Sequence, residues 1–157
     1  MDRIDRAILR LLQEDATMAV ADIAKRVGLS TTPCWRRIQK MEENGTIRAR
    51  VALLDPAQVN ANVTVFVSVR TSAHAKEWLK RFSEVVSEFP EVVEFYRMSG
   101  DIDYLLRIVV PDIAAYDAVY RRLIERIDIA DVSSSFAMEQ IKYTTSLPLD
   151  YMPVAKS

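Results

Sequence analysis

Up to about residue 45 the hydrophobic positions of this chain recur every three to four residues, and beyond residue 62 they alternate with polar ones, so the pattern divides it in two. Ile4, Ile8, Leu11 and Leu12 fall on one face of a helix, and Val20, Ile23, Ala24 and Val27 on one face of a shorter one. A third helix is predicted to run through Asn44, with Cys34, Ile38 and Met41 at i, i+4 and i+7 turned to the core. Ser30 stands at its N-cap position, and Pro33 in its first turn, where no intrahelical N–H bond is lost. Gly28 and Gly45 fall where a turn and a helix end call for positive φ. The run Ala24 to Ser30, a small residue followed by a glycine turn between two helices, has helix-turn-helix spacing. Ile47 to Leu54 reads as a short strand, either a wing on the helices or a strand that pairs with a second subunit.

After Asp55-Pro56-Ala57-Gln58 the periodicity changes. Val63, Val65, Val67 and Val69 alternate with Thr64, Phe66, Ser68 and Arg70 as a strand, and Trp78, Phe82, Val85, Val86 and Phe89 give a helix that Pro90 ends. Val92 to Met98 and Tyr104 to Val110 make two strands around Ser99-Gly100-Asp101. Ile113 to Ile127 makes a helix, and Val132 to Met138 alternates again. The order βαββαβ predicts a split ferredoxin-like unit, two helices on one face of a four-stranded antiparallel sheet. Leu105, Leu106, Ile108, Val109 and Val110 are too continuously apolar for a strand with one wet face, so the other sheet face is expected to be covered by a second copy.

The fold class is therefore α+β: a helix-turn-helix domain over 1–54, a linker over 55–62, a ferredoxin-like effector-binding and oligomerisation domain over 63–146, and a C-terminal tail over 147–157. Charge sharpens this division. The whole chain is near neutral at −1, but residues 25–50 carry +5 between segments of −2 and −4, and a short basic patch suits a phosphate backbone. No apolar run is long enough to span a bilayer and the N-terminus lacks the shape of a signal peptide, so a cytoplasmic protein without membrane contact is expected. One cysteine and one histidine, Cys34 and His74, cannot form a disulfide or a protein-only zinc site, and no cofactor or metal is expected. Cys34 reads as a small core residue.

Candidate chemistry gathers at two places. On the third helix Thr31, Thr32, Trp35, Arg36 and Gln39 face outward. Arginine can bind guanine through two hydrogen bonds, glutamine can read adenine, and threonine hydroxyls beside N-terminal N–H groups can hold phosphate. Arg37 and Lys40, with Arg48 and Arg50, suit backbone contacts in double-stranded DNA, while Trp35 reads equally as core or interface. The competing reading is a solvated basic helix. The second place is Ser99-Gly100-Asp101-Ile102-Asp103-Tyr104, read either as a turn with exposed acids or as an amino-acid site. In the site reading a carboxylate such as Asp103 meets the ligand ammonium, and Gly100 lets backbone N–H groups approach its carboxylate. An enzyme using Asp101 and Asp103 as acid and base is disfavoured, because there is neither a Ser-His-Asp set nor a phosphate-cradling glycine loop. A DNA-architectural protein without an effector stays open.

These residues resemble the leucine-responsive regulatory protein and AsnC family, the feast/famine regulators, over almost the whole chain. The resemblance rests on Asp2-Arg3-Ile4-Asp5 with Ile8-Leu9, on Val27-Gly28-Leu29-Ser30 with Thr32-Pro33-Cys34 and Arg37, on Ala52-Leu53-Leu54-Asp55-Pro56, and on Ser99 to Leu106. It implies a transcriptional regulator, not an enzyme, that forms homodimers through the βαββαβ domain, often assembled into octamers, with an amino-acid effector bound between dimers. It places the effector at Gly100, Asp101, Asp103 and Tyr104, completed by Ser134, Ser135 and Phe136. The stretch from Ser134 to Pro148 is similar to the branch whose members respond to cysteine or to other amino acids, branched-chain ones included. The charged N-terminal extension of some members is not expected here, so its extra DNA contacts are not carried over.

Overall fold

The computed structural model describes residues 1–71 and 76–153, which leaves His74 outside, and it divides into two units: Met1–Ala52 with the described part of Lys142–Ser157, and Leu53–Ile141. The first unit is built on α1 (Arg3–Glu14), α2 (Val20–Val27) and α3 (Thr31–Glu43). Asp2 starts α1 with a reciprocal capping box: its carboxylate accepts the N–H groups of Ile4 and Asp5 at 2.8 and 2.9 Å, and its own N–H donates to Asp5 Oδ2 at 2.8 Å. Gly28, in the left-handed region at φ 72°, ends α2 and lets the chain turn into α3. Ser30 holds the extended cap conformation, but its side chain makes no capping bond, so the predicted cap is one of backbone geometry only. Ile8, Leu9, Ile23, Ala24, Cys34, Ile38 and Met41 bury one another between the three helices.

Within this chain Ile47 to Leu54 forms no strand, so it is not a wing that pairs in its own unit. Ile47 N–H closes the end of α3 on the Met41 carbonyl at 2.8 Å, and the chain then runs irregularly with Val51, Leu53 and Leu54 exposed. A strand needs a neighbour to complete its ladder, and among the described residues this segment pairs with none. After Lys142 the chain returns to the helical unit, where Leu149 and Met152, around the 3-10 turn Leu149–Tyr151, pack against its core.

The second unit runs β1 (Val63–Arg70), α4 (Lys76–Ser87), β2 (Val92–Arg97), β3 (Tyr104–Val110), α5 (Ile113–Arg126) and β4 (Asp131–Phe136), the βαββαβ order expected from the sequence. The strands form one antiparallel sheet in the order β2-β3-β1-β4. Period-two burial sets the faces: Val65, Val67 and Val69 of β1 with Tyr104, Leu106, Ile108 and Val110 of β3 are buried together with Phe82 and Val86 of α4 and Val119 and Leu123 of α5. Asp112 caps α5 by accepting Ala115 N–H at 2.7 Å. On the opposite face Leu105 and Val109 are half-buried, Phe66 and Tyr96 are exposed, and Arg107 pairs with Glu94 across β2 and β3 at 2.7 Å.

Candidate DNA-reading face and effector loop

Three core side chains hold α3 by one stripe and leave the opposite stripe outward. Thr31, Thr32, Trp35, Arg36 and Lys40 are exposed, and Gln39 is half-buried with its amide donating to Glu42 Oε2 at 3.0 Å. Trp35 is 50% exposed, which decides between its two readings in favour of an open face over the core. Arg37 is different. Its Nη1 donates to Asp2 Oδ2 and to Asp5 Oδ1, each at 2.7 Å, so the guanidinium turns back from α3 and joins it to the first turn of α1. The Asp5 N–H bond and then the Arg37 guanidinium hold the Asp2 carboxyl below the usual carboxylate range, and the Asp5 and Asp2 carboxylates raise Arg37 further from deprotonation. Burial pushes the Cys34 thiol up, as befits a core residue. A cleft of about 580 Å³ lies between the start of α1 and α3, with Asp2, Asp5, Arg36, Arg37 and Lys40 on its walls. Its two carboxylates partly offset the three basic side chains that the sequence alone would add together. Arg50 is likewise engaged, paired with Glu42 at 2.8 Å.

The loop between β2 and β3 is an exposed but pinned turn. Met98 N–H donates to the Asp103 carbonyl at 2.8 Å and Asp103 N–H to the Val69 carbonyl at 3.0 Å, closing its base. Gly100 holds φ 119°, open to glycine and strained for any other residue. Ser99, Gly100 and Asp101 are exposed. The Asp103 carboxylate accepts Thr71 N–H at 2.8 Å, so it is committed to tying the loop to the end of β1. Arg70, which the sequence reading passed over, donates through Nε to the Asp101 carbonyl at 2.7 Å and reaches Asp131 of β4 at 3.8 Å. Tyr104 is 6% exposed, with its ring centroid 5.4 Å from Phe82 and 5.7 Å from both Trp78 and Phe95. It belongs to the core and not to the surface of the loop.

The other predicted effector residues do not meet this loop within one chain. In the sheet register Tyr104 faces Val69, Ser134 faces Val67 and Phe136 faces Val65, so Phe136 lies four residues, about 13 Å, along β1 from the loop. Ser134 and Ser135 point to opposite faces of the sheet. The Ser134 hydroxyl bonds to the Tyr116 hydroxyl on the helix side, and the Tyr116 ring meets Phe136 edge-on at 5.2 Å. Burial raises the Tyr116 hydroxyl, and the Ser134 bond opposes that shift. The register of β4 on β1 is what supplies Tyr116 with this polar partner.

A helix-turn-helix unit joined to a βαββαβ unit is the architecture of a class, the DNA-binding regulator with a sensor domain. Two family profiles match that division: the AsnC-type helix-turn-helix domain over residues 1–42 and the Lrp/AsnC ligand binding domain over residues 64–147. The chain is 49% identical over 151 residues to the DNA-binding transcriptional activator DecR of Escherichia coli (strain K12), covering 96% of this chain and 99% of that one. Its fold matches the crystal structure of an AsnC family transcriptional regulator from Agrobacterium tumefaciens with a TM-score of 0.95 and 80% identity, covering 98% and 100% of the two chains. A transcriptional regulator from Neisseria meningitidis in complex with L-Met matches with a TM-score of 0.91 and 35% identity, over 98% and 99%. The chain belongs to the Lrp/AsnC family of transcriptional regulators, and it is a DNA-binding regulator with a ligand-binding domain. No helix among the described residues is long and apolar enough to cross a membrane.

Proposed function

We propose that this protein is a cytoplasmic, non-enzymatic regulator that reads DNA with α3 and responds to an amino acid held at the Ser99–Asp103 turn of a homo-oligomer. The observation that carries the reading is the turn itself: an exposed Asp101 beside a positive-φ glycine, on a base fixed by Met98, Asp103 and Arg70. Asp101 offers the carboxylate for the ligand ammonium, and Asp103 holds the loop in shape through Thr71 N–H. The open N–H groups around Gly100 suit the ligand carboxylate. Tyr104 supports the loop from the core, and Ser135 with Phe136 enters the site from another chain, because in one chain they lie about 10 and 13 Å away along the sheet. The half-buried apolar face with Phe66, Leu105 and Val109 supports a dimer, and an octamer is the assembly the family suggests.

On α3, Thr32, Trp35, Arg36 and Gln39 face the base edges, Thr31 and Lys40 the phosphates. Arg37 holds the helix in place from behind. The complex of the Neisseria meningitidis relative with L-Met supports an amino acid of that size, with cysteine and the branched-chain residues as the nearest chemical alternatives.

A thermal-stability screen of the purified protein against each proteinogenic amino acid tests the reading. An amino acid at about 100 times its dissociation constant adds roughly 2.7 kcal/mol of stability. A shift for one small group that Asp101→Asn abolishes is the expected result. No shift for any of them would favour a DNA-architectural protein without an amino-acid effector.

A further inference from the structure

β1 begins and β4 ends at the same place. Val65 faces Phe136 in the register, and Ala137 N–H donates to the Thr64 carbonyl at 2.9 Å. The two stretches of chain that connect the sheet unit to the helical unit, residues 53–62 before β1 and the residues after Phe136, therefore leave from one corner of the sheet. The first continues from the end of α3. The second returns to α1, and what it does there is specific.

Arg6, Arg10 and Gln13 lie at i, i+4 and i+7 of α1 and form one stripe. Each is engaged by the C-terminal stretch. Arg6 Nη2 donates to the Met152 carbonyl at 3.0 Å, and Arg10 Nη2 meets Asp150 Oδ1 at 2.8 Å. The Gln13 amide pairs with the Leu147 backbone in both directions, donating to its carbonyl at 3.2 Å and accepting its N–H at 2.7 Å. Such a reciprocal amide pair fixes both position and direction of the incoming chain, as a ladder neighbour would. Leu149 and Met152 then add their side chains to the core formed by Ile8, Ile23 and Ile38. Polar contacts of fixed register with apolar anchors between them are the marks of a docked segment and not of a stray tail.

We infer that residues 147–152 are a docking strap for α1, and that the strap and the 53–62 linker together carry the state of the β1–β4 corner to the DNA-reading helices. The helical unit then has two chain connections to that corner, one entering after α3 and one docked on α1. Ser134 and Phe136, near the end of β4, also touch Tyr116, so the corner is sensitive to what happens on the helix-covered face of β4. The strap itself stands on the geometry alone. Its role in signalling rests on the amino-acid reading given above, since an effector shifts an equilibrium only as far as it binds the two states differently.

Hydrogen exchange of the α1 amides in the full-length protein tests both parts. Without any amino acid, Arg10→Asp should speed exchange of the amides of α1 by about two- to fivefold, and Asp150→Arg in the same chain should restore it. A Leu149→Ser, Met152→Ser variant should speed it more, because it removes the apolar anchors while leaving Arg10 and Asp150 in place. Unchanged exchange in these variants, or no restoration in the charge swap, would overturn the strap. With a mixture of the proteinogenic amino acids, wild-type α1 protection should change, and the strap variants should lose that change while their sheet amides still respond. If the strap variants keep the wild-type change at α1, the signalling role is overturned and the docking stands. If the wild-type sheet amides do not respond at all, the amino-acid reading fails instead, and the charge swap alone decides the strap.

Discussion

The two units are stabilised in different ways. The sheet unit has a core of rings and branched side chains: Phe82 has no exposed surface and sits at 4.8 to 5.4 Å from Trp78, Phe95 and Tyr104, above valines and isoleucines of β1 and β3. The helical unit buries no aromatic ring, and its core of seven described residues is closed by charge and capping instead, with Arg37 joining α3 to the Asp2–Asp5 cap and Arg10 joining α1 to Asp150. A segment of about 50 residues leaves much of its surface in water and gains little from burial alone. The contrast teaches that the sensor keeps its shape by packing, while the DNA-reading unit depends on polar contacts at its ends, which can be made and broken at small cost. Its one tryptophan, Trp35, is spent on the open face of α3.

One tryptophan in each unit, Trp35 and Trp78, makes the contrast measurable with Trp→Phe variants that leave a single reporter. The largest effect is expected for Phe82→Ala, which should cost the sheet unit about 3–5 kcal/mol in a urea melt followed by Trp78. The Trp35 transition should move far less, and equal movement of both would show that the units unfold as one block. Asp2→Ala comes next: losing the N-cap should lower the Trp35 transition by about 0.5–2 kcal/mol and leave Trp78 in place. The smallest effect concerns pH. The Asp2 carboxyl titrates below its usual value because the folded state prefers it ionised, so its contribution is complete above the unfolded value of about 3.9 and is lost as the pH falls through the folded one. Acid titration should therefore lower the Trp35 transition more gently in Asp2→Asn than in wild type, and identical slopes would remove Asp2 from the account.

Much of this fold can be read from local periodicity. β3 occupies Tyr104 to Val110 because an apolar run broken only by Arg107 lies between a glycine turn and Pro111, and the stripe of Cys34, Ile38 and Met41 is decided by helical spacing alone. What periodicity leaves out shares one cause, a partner distant in sequence. The pairing of Arg37 with two carboxylates is invisible because they lie 32 and 35 residues upstream, and Leu147 pairs with Gln13 across 134 residues. Ile47 to Leu54 carries strand composition but lacks a ladder partner within its own described chain, and Ser134 and Ser135 separate to opposite faces only once β4 is registered on β1. The loop motif reads as a turn, and Gly100 and Asp101 are exposed in it. The motif does not tell that the Asp103 carboxylate meets Thr71 N–H or that Tyr104 is buried, because these depend on Thr71 and on a ring cluster assembled from three other segments.

Cys34 is the only thiol in the sequence, and it is sealed within the helical core with its ionisation suppressed by burial. A thiol reagent can reach it only when α3 parts from α1 and α2, so its modification rate is a clock for the openings of the DNA-reading unit. The sheet unit has no cysteine to contribute a signal. Run in the presence and absence of amino acids or DNA, that clock would time one half of the molecule while the other half does the sensing, with no engineered label.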